Sequence, residues 1–473
     1  MATGSLETDY LVVGAGAMGM AFADALTDHA DVHVTLVDRR HAAGGHWHDA
    51  YPFVQLHQAS LFYGVASTVL GNGEVQPLGP EAGLQERARR SEIQAYYDDV
   101  LHRRLIGSGR VSFLGGSEHH TVGTSHRVTS LVSGDTVEVK ARRVVDATYL
   151  SPTVPATTPP PFGVGADVAV VPIHELATLA EAPTDYVIVG SGKTATDGIV
   201  WLLANGVAAD RTVWVRPRDP WMLDRAAVQP DPVVALGLAA DTLSAAAGAD
   251  SPDDLFLRLE RAGVMLRIDP QVVPTMAKAP TLGRWELELL RTIERVVRLG
   301  HVRHVSRGEI VLEHGSVPLT PGSLVVHCAA AGLPQRPMVP VWSPDRITLQ
   351  TIRAGFPCFC AALAGYVEAT RDDDGERNWL CPPNSFSDTP ADWARMQVRG
   401  MVATGRYESE PDIAEWARSC ALNPARIDAD RRDDPAVLAA VDRVAAVRER
   451  GLTRLAELAG EPLPGVDERR RRG

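Results

Sequence analysis

Tyr10-Leu11-Val12-Val13-Gly14-Ala15-Gly16-Ala17-Met18-Gly19 decides the fold. An apolar run ends in a glycine turn of the form GxGxxG. Residues 20–26 then read as a helix, and a second apolar run, residues 33–37, ends in Asp38. The order is strand, turn, helix, strand, acid, and each part has a physical task. Gly14 turns the chain sharply out of the strand. Gly16 carries no side chain, so a pyrophosphate can approach the backbone. Gly19 lets the helix lie close to the strand. The unpaired N–H groups at the helix start point at the phosphates. Asp38, 19 residues past Gly19, has the reach for a ribose hydroxyl. This unit predicts a dinucleotide site on a parallel α/β sheet.

A second unit stands about 175 residues on. Tyr186-Val-Ile-Val189 runs into Gly190-Ser191-Gly192-Lys193-Thr194-Ala195, a GxGxxA turn with alanine at the helix–strand contact. Gly192-Lys193-Thr194 has the letters of a phosphate-binding P-loop, but Val187 stands where that loop needs its first glycine. Residues 196–205 read as a helix stopped by Gly206, and residues 212–215 as the next strand. That strand ends in Arg216, with Arg218 two residues on and no acid at its tip. An arginine there accommodates a 2′-phosphate, so this unit predicts NADPH. Five prolines within residues 152–161 make a stiff connector, where the chain is expected to cross between domains.

The bulk properties narrow the class. With 473 residues and 45% apolar content the chain is long enough for two or three domains. A net charge of −12 argues against nucleic acid, which needs a basic face; the basic run at residues 469–472 reads as a solvated tail. No apolar stretch has membrane-spanning length, and the first strand is reached by Tyr10 with no secretory pattern before it. Five cysteines, an odd number, predict free thiols in a reducing, cytoplasmic compartment. Cys358-Phe359-Cys360 is too close for an ordinary metal pair. No CxxC follows the first turn, which argues against a flavin disulfide reductase. No metal site is expected, and His46 and His48 read as packing histidines.

After Asp38 comes Gly44-Gly45-His46-Trp47. Glycine turn, acid, then Gly-Gly-x-Trp resembles the opening of the flavin-containing monooxygenases and Baeyer–Villiger enzymes. The resemblance covers roughly residues 7–385. It implies two Rossmann-like domains, an FAD domain with an inserted NADPH domain, followed by a helical C-terminal segment. The expected boundaries are 1–160 and 323–390 for the FAD domain, 161–322 for the NADPH domain and 391–473 for the tail. It implies FAD contact at Gly45 and Trp47. Residues 143–148 resemble the short strand that returns to the flavin, which adds Thr148, and residues 323–333 resemble a second return. Residues 356–369 resemble the helix whose N-terminus faces the flavin pyrimidine. Where the family has an asparagine over the flavin, this chain has His57-Gln58, so these two are the catalytic candidates. Glutamate is usual in the family where Asp38 stands. The family's fingerprint before the second turn is replaced by Val171-Pro172-Ile173-His174-Glu175.

The implied activity is an FAD- and NADPH-dependent monooxygenase acting on a small organic substrate with molecular oxygen, through a C4a-(hydro)peroxyflavin. Two alternatives stay open: a flavin dehydrogenase or reductase without productive oxygen transfer, and a noncatalytic nucleotide-binding redox sensor. Of the remaining elements, residues 91–104 predict a helix capped by Ser91, residues 127–132 and 136–141 a hairpin, and residues 231–298 a mostly helical insertion. Residues 435–458 predict a helix whose apolar face, Val437, Leu438, Val441, Val444 and Val447, packs on the body or on a second copy of the chain.

Overall fold

The computed structural model describes residues 4–122, 125–330 and 332–463; the basic run at 469–472 lies outside them. The first unit forms as the sequence requires. Strand β1 (Gly4–Val13), helix α1 (Ala17–His29) and strand β2 (Val34–Val37) follow one another, with β1 and β2 parallel and Val13 beside Val37. Strand β3 (Thr136–Asp146) is a single strand of 11 residues. Its first half pairs antiparallel with Ser125–Ser130. Along nearly its whole length, from Val137 to Asp146, its other edge runs parallel to β1 and brings Asp146 beside Val13. The second strand of the predicted hairpin and the predicted return strand are therefore one continuous element. A further strand, Ser117–Val122, pairs with Ser125–Ser130. Strand Val111–Leu114 pairs parallel with β2, and its Leu114 packs with Val128 and Val139.

The second unit is β4 (Tyr186–Val189), α2 (Lys193–Ala204) and β5 (Thr212–Val215), parallel throughout. The insertion that follows is less helical than its sequence suggests. Helix α3 (Pro232–Ala247) and Pro252–Arg261 are helices. Between and around them Pro220–Asp224, Met265–Arg267 and Met276–Leu282 make a three-stranded sheet, and helix α4 spans only Arg284–Arg291. Strand β6 (Leu324–His327) corrects the expected boundary at residue 323. It lies between β4 and Val170–Pro172 in the five-stranded second sheet, not in the first. A four-residue apolar strand fits the centre of either parallel sheet, and its pattern does not choose between them. The return to the first sheet is made by β7 (Arg346–Thr348), which pairs parallel with β3.

The first sheet thus reads Trp342–Ser343, β7, β3, β1, β2, Val111–Leu114, with the 117–130 hairpin attached to β3. The two chain crossings between domains lie side by side: the N–H of Thr153 donates to Gly332 (2.9 Å), and the Tyr149 hydroxyl donates to the Pro337 carbonyl (2.6 Å). Helix α5 (Pro357–Thr370) packs on α1 so closely that a Cβ on Gly365 would stand 2.6 Å from the Phe22 carbonyl oxygen. Helix α6 (Pro435–Ala459) crosses α3, with Gly451 against the Leu243 backbone. Its buried positions are Val437, Ala440, Gly451, Leu455, Ala456 and Ala459, while Leu438 and Val441 are exposed. The predicted apolar face is therefore only partly the packed one.

Two local expectations also change. Ser91 is not the cap of its helix: the helix spans Arg90–Asp99, and Glu92 accepts from the Arg89 N–H (2.7 Å). Residues 100–105 continue it as a π-helical turn. All five cysteines are free and buried. Among the described residues no helix is long and apolar enough to cross a membrane.

Candidate functional site

The first glycine turn has the shape its sequence requires. Gly14 sits at φ 105° and donates to the Val37 carbonyl (2.7 Å). A Cβ on Gly19 would stand 1.9 Å from the Gly14 oxygen, so helix and strand touch through bare backbone. Gly16 faces Gly45, which is at φ 58°; a Cβ on either would meet the other's Cα, at 3.6 Å from Gly16 and 3.0 Å from Gly45. These two glycines, 29 residues apart, form one smooth floor. Asp38 is buried against this turn. Its carboxylate accepts from the N–H groups of Ala15 and Arg40, both at 2.8 Å, and so ties the turn to the tip of β2. Thr148 lies across the turn, 3.0 Å from where a Gly14 Cβ would be. Asp146, itself paired with Arg346 (2.5 Å), holds the Thr148 hydroxyl (2.7 Å) and amide (2.9 Å).

Trp47 is buried and donates its indole N–H to the Tyr63 hydroxyl (2.6 Å). His46 packs beside it at 5.2 Å, and burial lowers its pKa to about 4. A ring nitrogen of His48 lies 2.7 Å from the Ala43 carbonyl. Both histidines are thus placed by packing and backbone. Among the described residues no group of three or more His, Cys, Asp or Glu side chains is arranged to hold a metal ion.

At the second turn Gly190 (φ 141°) donates to Val215 and backs onto the Cys328 carbonyl, while nothing lies within 4 Å of a Cβ on Gly192. The Ser191 hydroxyl is buried without a partner. Ala195 is fully buried at the helix–strand contact, and Thr194 is half-buried in the first turn of α2. Lys193 departs from the expectation of a cofactor contact. Its side chain turns inward to Asp197 and Glu286 (3.1 Å to Glu286).

The arginines at the tip of β5 also depart from expectation. Arg216 is 2% exposed, stacks on Trp214 (4.5 Å) and bonds Asp219 (2.9 Å). Burial lowers its pKa to about 10 despite Asp219. It does not face an open nucleotide site. Arg218 is one-third exposed and holds Asp388 through two bonds, 2.7 and 2.9 Å. Position at a strand tip located these residues, but Asp219, three residues past Arg216, and the distant Asp388 claim them.

His57 belongs to a charge cluster between the two domains that the sequence reading did not identify. Arg225, wholly buried, pairs with Glu81 and with Glu286 (2.6 Å), and its Nε donates to the His57 carbonyl (2.9 Å). Arg87 holds both oxygens of Glu81 (2.7 and 2.8 Å), and the Trp285 indole donates to the one that Arg225 shares (3.0 Å). On the far side Lys193 joins Glu286 to Asp197, which accepts from the Tyr51 hydroxyl (2.6 Å).

Three cations face three anions, so the cluster is neutral as a whole. Burial opposes the charge on Glu286, but Lys193, Arg225 and the Gly283 N–H (2.6 Å) outweigh it and hold its pKa near 2. The His57 ring is held neutral: burial first, then Lys193, Arg225 and Arg87, push its pKa down to about 3. Its Nδ1 is buried without a partner. Gln58 is half-buried, and among the described residues its side chain makes no hydrogen bond. Glu81 lies in a stretch without periodicity. Only Glu286, three residues past Gly283 at a helix start, left a capping signal in the sequence.

Residues 12–67 match the NAD(P)-binding Rossmann-like domain family. The uncharacterized protein Rv2000 of Mycobacterium tuberculosis (strain ATCC 25618 / H37Rv) is 44% identical over 422 residues, covering 89% of this chain and 78% of its own. The uncharacterized protein Mb2023 of Mycobacterium bovis matches to the same extent. The chain belongs to the family of these mycobacterial proteins. Among solved structures, the ε-caprolactone-bound cyclohexanone monooxygenase is 15% identical, with a TM-score of 0.50 over 87% of this chain and 98% of that one. At that identity the likeness is one of fold. This chain shares the fold of that structure.

Proposed function

We propose that the protein is an FAD- and NAD(P)H-dependent oxidoreductase that oxygenates a small organic substrate. The observation that carries this reading is the pair of glycine turns, each opening its own parallel sheet, with the neutral His57 cluster between them. The residues fit two dinucleotides. The Gly16–Gly45 floor is a surface that any Cβ would fill, the space over Gly192 is open, and the buried Ser191 hydroxyl lacks a partner. FAD would lie on Gly14, Gly16, Gly19, Gly45 and Thr148 beside Asp38 and Trp47. The nicotinamide coenzyme would lie on Gly190, Gly192, Thr194 and Ala195 at the start of α2.

Bound flavin supplies electron acceptance and oxygen activation; the protein's part is to place and shield it. Lys193 and Tyr51, joined through Asp197, anchor the start of α2 to the first domain. A neutral His57 offers one N–H and one lone pair without adding charge. Arg218, the more exposed of the two arginines at the tip of β5, would take a 2′-phosphate in exchange for Asp388.

The runner-up is a flavin reductase that passes no oxygen to substrate. It is favoured by the internal pairing of the cluster, which leaves His57 uncharged and without an imidazolium proton to transfer at neutral pH. Purified protein should be yellow and should bleach anaerobically with NADPH. Under labelled dioxygen, one oxygen atom should then appear in product. Quantitative release of peroxide for every substrate tried selects the reductase. Protein that stays colourless after incubation with FAD ends both readings.

A further inference from the structure

The two glycine turns of this chain are not built alike. Their second glycines match: Gly16 (φ −82°, ψ −172°) and Gly192 (φ −84°, ψ −176°) open α1 and α2 with the same backbone. The first glycines differ, with φ 105° at Gly14 and φ 141° at Gly190. The residue at the third position separates the two units. In the first, the Gly14 oxygen lies over Gly19, where a Cβ would stand 1.9 Å from it. The second carries a Cβ at that position, on the fully buried Ala195, so it cannot repeat this contact unchanged.

In the second unit β5 takes both polar groups of the first glycine. The Gly190 N–H donates to the Val215 carbonyl (3.0 Å), and the Trp214 indole N–H donates to the Gly190 carbonyl (2.7 Å). Trp214 is the last residue but one of β5 and stands beside Ile188. The same place in the first unit, beside Val12, is held by Leu36, which has no donor. Both side chains are fully buried. The alanine and the donor thus occur together in one unit and are both missing from the other. Trp214 is itself fixed, because Arg216 lies over its ring at 4.5 Å and is held by Asp219 (2.9 Å).

A trans peptide is planar, with its C=O and N–H pointing in opposite directions. Fixing the Gly190 carbonyl against Trp214 therefore fixes the direction of the Ser191 N–H. Among the described residues that N–H has no hydrogen-bond partner, and neither has the buried Ser191 hydroxyl. We propose that Trp214 is a positioning residue for the nicotinamide coenzyme: by holding the Gly190 carbonyl it presents the Ser191 N–H, and with it the start of α2, to the coenzyme diphosphate. Trp214 and Ala195 act as a pair, the indole replacing a backbone contact that only glycine at 195 permits. This role rests on the reading of the second turn as the coenzyme site. It concerns the diphosphate, which NADP+ and NAD+ share, and not the 2′-phosphate.

Calorimetric titration of the full chain with NADP+ and NAD+, with and without FAD, tests the pair. Trp214→Phe keeps an aromatic ring under Arg216 and removes the N–H. It should weaken both coenzymes alike by about tenfold, the scale of one hydrogen bond and its stranded acceptor. Its FAD affinity should stay within about twofold of wild type, because the first turn has its own backbone contact. Adding Ala195→Gly should bring coenzyme affinity back to within about threefold of wild type, since the carbonyl can then lie as that of Gly14 does. A glycine inside a helix lowers stability, so a merely structural defect would deepen in the double variant and binding would not return. Where Trp214→Phe is too unstable to titrate, Arg216→Met takes its place: it leaves the indole unclamped and should weaken both coenzymes alike. Unchanged coenzyme affinity in the titrated variant, a loss confined to NADP+, or no recovery on adding Ala195→Gly to Trp214→Phe overturns the proposal and leaves the proposed function standing. Wild-type protein that binds neither coenzyme removes both. Colourless protein with the expected coenzyme pattern keeps the role of Trp214 and removes the flavin.

Discussion

Alanine at Gly16 and alanine at Gly19 should fail in different ways. At Gly19 the new methyl would stand 1.9 Å from a backbone oxygen, so α1 must move off β1. Gly19→Ala should therefore lower the melting temperature together with flavin content. At Gly16 the methyl meets only the Gly45 Cα at 3.6 Å, an ordinary contact. Gly16→Ala should melt like the wild type yet lose flavin affinity by about tenfold or more, because it fills the phosphate approach. Circular dichroism and flavin titration on both variants check this. These glycines were legible because their role is local and depends on having no side chain. Arg216 was not, because Asp219 and Trp214 claim it. Arg216→Ala should cost about 1–3 kcal/mol of stability by leaving Asp219 with Arg298 alone. Arg218→Ala should instead raise KM for NADPH well above any change for NADH. Equal effects on both coenzymes would remove Arg218 from the 2′-phosphate.

Among the elements, the glycine-turn units were read correctly because strand, turn and helix follow one another without a gap. The sheet to which β6 belongs was not readable, since Leu324-Val325-Val326 suits the centre of any parallel sheet. The strands of the insertion were hidden for a related reason: Met265–Arg267 is three residues long, too short for a period to show. The charge cluster escaped because Glu81, Arg225 and Glu286 come from three separate segments and meet only in the fold. That cluster gives the interface its sharpest dependence on one side chain. Arg225→Met removes the cation shared by both glutamates and leaves Glu81 to Arg87 and Glu286 to Lys193. Removing one partner of a buried ion pair costs about 3–5 kcal/mol. The variant should show that loss in denaturant unfolding, and the paired change Arg225→Met with Glu81→Leu should recover part of it. A double variant no more stable than the single one would show that Glu81 is not coupled to Arg225.

For the molecule as a whole, three half-buried histidines make stability depend on acid. His57 has a folded pKa near 3, and His46 and His119 near 4, against an ordinary value of 6.5. Burial is the leading cause in all three. Between those values the unfolded chain binds protons that the folded chain refuses, so folding stability rises with pH through this window and falls as pH drops below about 6.5. Glu286 adds a later step. Its folded pKa near 2 lies below its ordinary 4.5, so its contribution is complete above 4.5 and is lost on further acidification. Asp24 and Glu408 oppose both, because burial raises their pKa values and the folded state then favours the proton. Wild-type melting against pH mixes all of these, so the decisive quantity is a difference between two proteins. His57→Gln keeps a polar side chain of similar reach but cannot titrate. Its melting temperature relative to wild type should be higher by roughly 1–3 °C at pH 5.5 than at pH 8. The same offset at both pH values would mean that the His57 ring is solvated rather than held neutral among Lys193, Arg225 and Arg87, and the neutral junction between the two nucleotide units would lose its central residue.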